Sequence, residues 1–369
     1  MIKQHIGVQS IGIQCPMFKE GDNLSEMVVD AVLKATAVYN NGYDFSNDEP
    51  FYYDIDNKDI IGVTESVVAR AAGLYLKIDD LVEEIKVKCP TDEVVLIEPI
   101  YSRNRFSMIL KAFAKAFKRI WFVMPDYDEV GNPRLINQQT GVNIMGYYTD
   151  ICKENDCDSV IKKTLYEVIS DPDFKTSKDK TFIDCKLRPK NEFNLPSNFL
   201  NLTDFGKDIN PTYGLLGSNK ANEDTLKLFP TVGESARVCS KIQDLIKEKT
   251  NKHVEVMIYG DGCFKDATSG IWEFADPTVS PYYTDGLKGS PNEIKAKYFI
   301  DGKFAKLSGE ELNKAIEEEI KNKKKCLEGD MAAQGTTPRK IVNLLASLMD
   351  LTSGSGDRCT PVVLVKNYL

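Results

Sequence analysis

The sequence predicts an α/β protein of enzyme size, and three observations support that fold class. The chain has 369 residues. At about 100–200 residues per domain, this length corresponds to two domains or one large domain. Hydrophobic residues make up 42% of the chain and charged residues 28%, which are ordinary proportions for a globular protein. Apolar runs of strand length also alternate with segments whose apolar residues recur at helical spacing.

The clearest alternation lies between residues 93 and 124. Residues 93–97 and 120–124 are short apolar runs that we predict to be strands. Between them, residues 104–118 place Phe106, Ile109 and Phe113 on one face of a helix and lysines on the other. A strand, a helix and a strand in this order favour a parallel crossover unit.

The other elements are predicted from the same two periodicities. Ser308 and Glu311 have the spacing of a capping box, which predicts the start of a helix. Residues 170–232 have only weak periodicity. In chain order we expect further strands at residues 6–13, 60–63, 254–259 and 361–365, and further helices at residues 24–35, 64–74, 234–249, 308–322 and 339–351.

Charge and composition exclude several classes of function. The net charge of −8 and the pI of about 5.2 argue against a nucleic-acid partner held by bulk electrostatics. The chain has nine cysteines, no Cys-x-x-Cys and two histidines, which favours reduced structural thiols and excludes a multi-histidine metal centre. No run reaches the about 20 apolar residues of a membrane span. We therefore expect a cytoplasmic protein.

The most informative loop follows the strand at residues 254–259. Gly260-Asp261-Gly262 comes directly after it, and ligands of α/β folds commonly lie beyond the carboxyl ends of strands. Asp261 could therefore hold a metal ion or an amine. Further acids follow it downstream, and hard divalent cations prefer such oxygen ligands: Asp266, Glu273 and Asp276. Alternatively, Asp261 only tolerates the turn between two glycines.

A second loop, residues 352–358, is rich in glycine and serine. Its glycines would let backbone N–H groups approach a phosphate closely, and Arg358 could clamp that phosphate. It lacks the Gly-Lys-Ser/Thr ending of a Walker A loop. On pattern alone, a flexible connection between helix and strand is the favoured interpretation.

Four blocks of the chain follow the motifs of one family in the same order. Residues 18–24 (FKEGDNL) and 61–73 (IGVTESVVARAAG) are similar to "KPGDDL" and "VVTSKIVSKAEG". Residues 213–219 (YGLLGSN) are similar to "NAGVDASN", and residues 228–230 fall at an apolar "LLP". Residues 235–261 resemble the helix and strand leading to "SDTxGRP", and residues 345–369 resemble "AELVMGKxDGxPVVLVRG". These motifs belong to the F420-0:γ-glutamyl ligase family.

The resemblance implies an α+β fold of two domains with mixed sheets flanked by helices. Residues 1–100 and 200–369 would form the family-like core, and residues 101–199 would be an inserted or divergent α/β segment. It also implies an intertwined homodimer that uses GTP or ATP with Mg²⁺ or Mn²⁺. Such an enzyme joins an amino acid, expected to be glutamate, to a substrate carboxylate through an acyl phosphate.

Site residues carry over from the motifs position by position. Asp261 keeps the aspartate of "SDT", and Lys265 is the counterpart of the arginine of "GRP"; both are the expected catalytic residues. The expected metal ligands are Asp261, Asp266, Glu273 and Asp276. The expected cofactor-binding residues are Thr64, Ser66, Ser218, Asn219, Gly260, Gly262, Ser353, Gly354, Gly356 and Asp357.

Two positions depart from the family's motifs. The lysine that follows Thr-Ser in the family falls on Glu65 or Ser66, and the aspartate of "GVDAS" falls on Leu216. These departures leave open a nucleotide- or metabolite-binding protein that has lost the transfer step. A metal-dependent phosphohydrolase is a third alternative, which the acid-rich loop alone would support.

Overall fold

The computed structural model is an α+β protein whose sheets are flanked by helices, so the predicted fold class is confirmed. Only the backbone is described for residues 263–265 and 272–274. The structure describes residues 7–36, 54–99, 106–127, 143–176, 180–185, 196–260, 263–265, 272–274, 280–327, 329–333, 340–353 and 359–369.

The strands are numbered in chain order. They are β1 (Gln9–Ile13), β2 (Ile60–Thr64), β3 (Tyr75–Lys77), β4 (Glu93–Ile97), β5 (Arg119–Val123), β6 (Asp158–Lys162), β7 (Lys180–Asp184), β8 (Phe199–Asn201), β9 (Asn219–Asn222), β10 (Thr225–Lys227), β11 (Glu255–Tyr259), β12 (Cys263–Lys265), β13 (Trp272–Phe274), β14 (Tyr282–Tyr283) and β15 (Val362–Lys366).

The helices are numbered in the same way. They are α1 (Leu24–Lys34), α2 (Glu65–Ala71), α3 (Ile78–Lys88), α4 (Phe106–Ala116), α5 (Ile144–Glu154), α6 (Leu165–Ser170), α7 (Pro172–Thr176), α8 (Val232–Thr250), α9 (Ala296–Asp301), α10 (Gly309–Lys321) and α11 (Ile341–Ser353).

The first large sheet is mixed and has the strand order β1-β15-β2-β11-β14. β2 and β11 run parallel, with Thr64 opposite Tyr259. β15 pairs antiparallel with β1 and with β2, and Val362 at its start lies opposite Val63. The carboxyl ends of β2 and β11 therefore meet the beginning of β15 at one edge of the sheet, which we call the carboxyl edge.

Both faces of the mixed sheet are covered, which explains why its central strands are apolar without alternation. Helices α1 and α8 pack on one face, and α11 packs on the other. The α11 face approaches so closely that a Cβ on Gly62 would lie 2.2 Å from Met349 Sδ. A larger residue in place of Gly62, in the middle of β2, would have to displace the side chain of Met349.

The second large sheet is parallel throughout and has the order β6-β5-β4-β7-β8. The predicted crossover from β4 through α4 to β5 is confirmed. Helices α3, α4 and α5 cover one face. Trp121 and Phe174 pack edge to face on the opposite side, with ring centroids 5.3 Å apart. All five strands of this sheet lie between Glu93 and Asn201.

A small antiparallel sheet of order β3-β10-β9 lies against the core of the parallel sheet. Leu76 and Leu226 are opposite each other and point into that core. Because side chains alternate along a strand, Lys227 faces the other way. From that face, the Nζ of Lys227 donates a hydrogen bond to Ser66 Oγ at the start of α2.

Several details differ from the sequence predictions. Ser308 does precede α10, but its side chain makes no capping hydrogen bond. Helix α3 was not predicted, although its apolar residues have helical spacing. The weakly periodic region around residues 170–232 contains short strands, of which β7 pairs with β4 and β10 pairs with β3, both distant in the sequence. None of the helices within the described ranges is long and apolar enough to cross a membrane. The domain boundaries and the homodimer stay predictions.

Candidate functional site

The carboxyl edge of the mixed sheet brings together segments that are far apart in the sequence. The Thr64 amide donates to the Pro361 carbonyl over 2.9 Å, so the end of β2 is held against the start of β15. On the other side of β15, the Cys15 amide donates to the Cys359 carbonyl over 2.9 Å. This edge is therefore built from the ends of β1, β2 and β11 and from the segment that enters β15.

The end of α11 reaches the same edge. Thr360 Oγ1 donates to the Ser353 carbonyl, and Gly12 in β1 leaves only 3.2 Å between an ideal Cβ and Thr360 Cβ. Ser353 also forms a side-chain hydrogen bond with Tyr259 at the end of β11. Of the predicted cofactor-binding residues, Thr64, Gly260 and Ser353 are thus brought to one edge, because β2 and β11 are parallel neighbours and Gly260 directly follows Tyr259.

Tyr259 was not among the predicted site residues. It is buried, and its hydroxyl donates to the Pro361 carbonyl over 3.4 Å. Burial raises the pKa of this phenol above its ordinary value. Tyr259 is therefore neutral at physiological pH and contributes a hydrogen-bonding group without charge. No motif indicated it, since an aromatic residue in an apolar strand is typical of a core position.

Lys227 is the second residue that the sequence analysis missed. It is 7% exposed, and its Nζ donates a hydrogen bond to Ser66 Oγ in the first turn of α2. Burial lowers the pKa of its ammonium group and Arg70 adds to this, whereas the charge of Glu65 acts in the opposite direction. An ammonium group thus reaches the side chain of Ser66, although the family's lysine is missing from positions 65 and 66. A lysine inside the apolar run of residues 226–229 was the available signal.

Asn219 lies beside Lys227 in the small sheet, and Ser218 directly precedes Asn219. Asn219 is directly opposite Lys227 in the antiparallel pairing, but its Oδ1 accepts the Lys220 amide over 2.9 Å. Ser218 is 2% exposed, and its Oγ has no hydrogen-bond partner among the described residues. Leu216 is buried at 3% exposure, so it is a packing residue here and not a ligand-binding one.

Helix capping leaves the Thr64 hydroxyl available for a ligand. Thr64 occupies the N-cap position of α2 in extended conformation, and its side chain makes no capping hydrogen bond. The hydroxyl of a capping residue usually accepts a hydrogen bond from a backbone N–H of the first turn. The Thr64 hydroxyl, two positions before Ser66 in the sequence, is therefore not used in capping.

The remaining predicted site residues cannot be compared with the geometry. The backbone of Lys265 lies in β12 and that of Glu273 in β13, where Glu273 is opposite Phe264. For both residues the structure describes the backbone alone. The other predicted residues lie outside the described ranges altogether: Asp261, Gly262, Asp266, Asp276, Gly354, Gly356 and Asp357. Within the described ranges, no three His, Cys, Asp or Glu side chains are grouped to hold a metal ion.

The described part of the carboxyl edge suits an anionic ligand rich in oxygen atoms. It combines one buried ammonium group on Lys227 with hydroxyl groups on Thr64, Ser66 and Ser353. Lysine acts as a compact point charge toward phosphate and carboxylate oxygens, and hydroxyl groups accept or donate as the ligand requires. Phosphate groups and carboxylates fit this chemistry, whereas an apolar ligand does not.

Comparisons with known proteins identify one matching family. A sequence model of the F420-0:gamma-glutamyl ligase family matches residues 12–367 of this chain. A search of curated proteins found no match. The family match extends across both large sheets and includes every residue of the carboxyl edge described above.

Proposed function

This chain belongs to the F420-0:gamma-glutamyl ligase family, and we propose that it joins an amino acid to a carboxylate substrate through an acyl phosphate. The family consists of ligases that form an amide bond. In the proposed route, a substrate carboxylate oxygen attacks the γ-phosphorus of GTP or ATP and the nucleoside diphosphate leaves. The amine of the amino acid, expected to be glutamate, then attacks the acyl carbon, and inorganic phosphate leaves with a proton lost from the amine.

The observation that carries this proposal is the contact between Lys227 and Ser66 at the carboxyl edge. Both reactants of the first step are anions, and they repel each other unless positive charge and hydrogen-bond donors hold them together. A buried ammonium group beside the hydroxyls of Thr64 and Ser66 supports binding of that kind. Tyr259 and Ser353 would add uncharged hydrogen-bonding groups at the same edge, which are bonded to each other in the protein.

A divalent cation, Mg²⁺ or Mn²⁺, is part of the proposal because the resemblance implies it. Such a cation would neutralise charge on the phosphate groups. The expected ligands, Asp261, Asp266, Glu273 and Asp276, have no described side chains, and the described residues alone form no such site. We therefore assign no step to the cation and propose only that activity depends on it.

The proposed substrates are small molecules. F420-0 and glutamate are the first pair to test, because the family model is that of F420-0:gamma-glutamyl ligases. We further propose that the protein acts as a cytoplasmic homodimer. Sedimentation analysis of the purified protein would test the assembly independently of the reaction.

The direct test is an assay with a matched set of omissions. The protein is incubated with GTP or ATP, Mn²⁺ or Mg²⁺, F420-0 and a pool of amino acids, and nucleoside diphosphate release and new amide products are measured. Release that requires both the carboxylate and the amine supports the ligase. Release without an amine supports a phosphohydrolase instead, and tight nucleotide binding without any release supports a binding protein. Chelation with EDTA should stop the reaction if the cation is required.

A further inference from the structure

Lys227 reaches the carboxyl edge from a different sheet. It ends β10 of the small sheet, while its neighbours Leu226 and Leu228 are buried in the core of the parallel sheet. Alternation along the strand turns Lys227 to the opposite face, toward the start of α2. Its Nζ there meets Ser66 Oγ, 161 positions away in the sequence. The backbone on both sides of Lys227 is thus anchored by packing, which holds the ammonium group in place.

The charge of Lys227 is poorly balanced by the protein. Burying an ammonium group is costly unless it is paired and hydrogen-bonded. The described hydrogen bond of Lys227 is to a neutral hydroxyl. The charge of Glu65 attracts its ammonium group and that of Arg70 repels it, but no described carboxylate forms an ion pair with it. Lys366 is equally exposed at 7%, yet its Nζ lies 2.6 Å from Asp59 Oδ2 and 3.1 Å from Asp56 Oδ2. Lys366 is therefore paired with two carboxylates, whereas Lys227 is hydrogen-bonded to a serine.

We propose that Lys227 is a substrate-binding residue whose ammonium group holds a phosphate oxygen of the bound nucleotide, together with the hydroxyls of Ser66 and Thr64. This inference rests on the proposed function and adds the residue that would hold the phosphate. A phosphate group supplies the ion-pair partner that Lys227 lacks among the described residues. It can also accept hydrogen bonds from Lys227 and from the neighbouring hydroxyls at the same time.

Lys227→Met is the variant that separates a binding role from a structural one. If Lys227 only stabilised the fold, replacing it would lower the thermal stability. Methionine has a similar length without the charge. If Lys227 instead binds a phosphate group of the substrate, the substitution should leave the melting temperature unchanged or raise it, because an unpaired buried charge is removed. Binding of magnesium-GTP, measured by calorimetry, should weaken about tenfold to hundredfold, since a charge-assisted hydrogen bond is lost.

Lys227→Arg and guanosine provide the controls. Lys227→Arg keeps the charge and should recover part of the affinity for magnesium-GTP. Guanosine lacks phosphate, so any affinity for it should be the same in the wild type and in Lys227→Met. Unchanged magnesium-GTP affinity and turnover in Lys227→Met would overturn the inference and leave the ligase proposal standing.

Inorganic pyrophosphate and inorganic phosphate test the inference even if no ligase activity is found. The wild-type protein is acetylated with acetic anhydride, and the modification of Lys227 is followed by mass spectrometry with each anion and with glutamate. Protection by pyrophosphate or phosphate supports a phosphate-binding lysine, even where the ligase assay fails. Protection by glutamate alone, or by none of the three, would contradict the inference whatever the result of the assay.

Discussion

A buried lysine lies at each of the two edges of the mixed sheet, and the two lysines have different kinds of partner. At the edge where β2 begins, Lys366 bonds the Asp54 carbonyl and two carboxylates, on Asp56 and Asp59. At the carboxyl edge, the described hydrogen bond of the Lys227 ammonium group is to the hydroxyl of Ser66, and Glu65 attracts its charge without forming an ion pair. The comparison indicates that the buried lysine of the first edge is paired within the protein. The buried lysine of the carboxyl edge has a positive charge that an anionic ligand could pair.

The rest of the first edge supports the same distinction. Glu255 is buried, accepts hydrogen bonds from Thr284 Oγ1 and the Gly286 amide, and lies 3.3 Å from His253 Nε2. Burial raises the pKa of the Asp59 carboxyl, although hydrogen bonds from Lys366 and Asp56 act against that shift. Each charged group here has partners in the protein, as expected of residues that stabilise the fold.

The largest expected effect is that of breaking the complete edge. Lys366→Met should lower the free energy of unfolding by about 3–5 kcal/mol, because it leaves the buried carboxylate of Asp59 without its partner. Urea denaturation measures this change. Magnesium-GTP affinity of the folded variant should stay at the wild-type value, since the substitution is at the opposite edge. A loss below about 1 kcal/mol would mean that the two edges do not differ as the contacts indicate.

A smaller effect is expected at the carboxyl edge from Tyr259→Phe. The phenol bonds the Pro361 carbonyl and the Ser353 side chain, so its removal should lower the free energy of unfolding by about 0.5–1.5 kcal/mol. Tyr283→Phe in β14 is the matched control, since its hydroxyl makes no hydrogen bond to the described residues. If both substitutions cost the same, the Tyr259 hydroxyl does not hold the edge together.

The smallest effect is a pH dependence that sharpens the comparison. The pKa of Lys227 is lowered from 10.5 by burial and by Arg70, against the attraction of Glu65. Its unfolded state therefore binds more protons between the folded pKa and about 10.5, and wild-type stability gains as pH rises through that window. Any stability advantage of Lys227→Met over the wild type should be present below the folded pKa and shrink as the pH approaches 10.5. Urea denaturation of both proteins at pH 7, 9 and 10 measures this; an advantage that grows with pH would contradict a lowered pKa.

Much of the local structure was predictable because helical and strand periodicities are local properties of a sequence. Residues 93–97 form β4 as predicted, and the amphipathic segment 104–118 forms α4 within those bounds. Helix α3 was predictable in principle, since Ile78, Leu81, Val82 and Ile85 are buried at helical spacing. Strands of three residues such as β8 and β10 were not, because a run of that length has no readable period.

The residues of the candidate site were also only partly predictable from the sequence. The strand ends and motif order indicated Thr64, Ser66, Gly260 and Ser353, and the fold brings all four to the carboxyl edge. Tyr259 was missed because an aromatic residue in an apolar strand is typical of a core position. Lys227 was missed although a lysine inside the apolar run of residues 226–229 was an available signal. The assignments of Asp261 and Lys265 stay predictions.

By itself, the sequence determined the fold class, the family and the segments from which a site could be built. Only the tertiary structure decided which strands are neighbours, and so which buried lysine meets acids and which meets a serine. The physical reason is that periodicity is set by residues a few positions apart. Charge balance in a protein interior depends on contacts between residues more than a hundred positions apart, as between Lys227 and Ser66 and between Lys366 and Asp59.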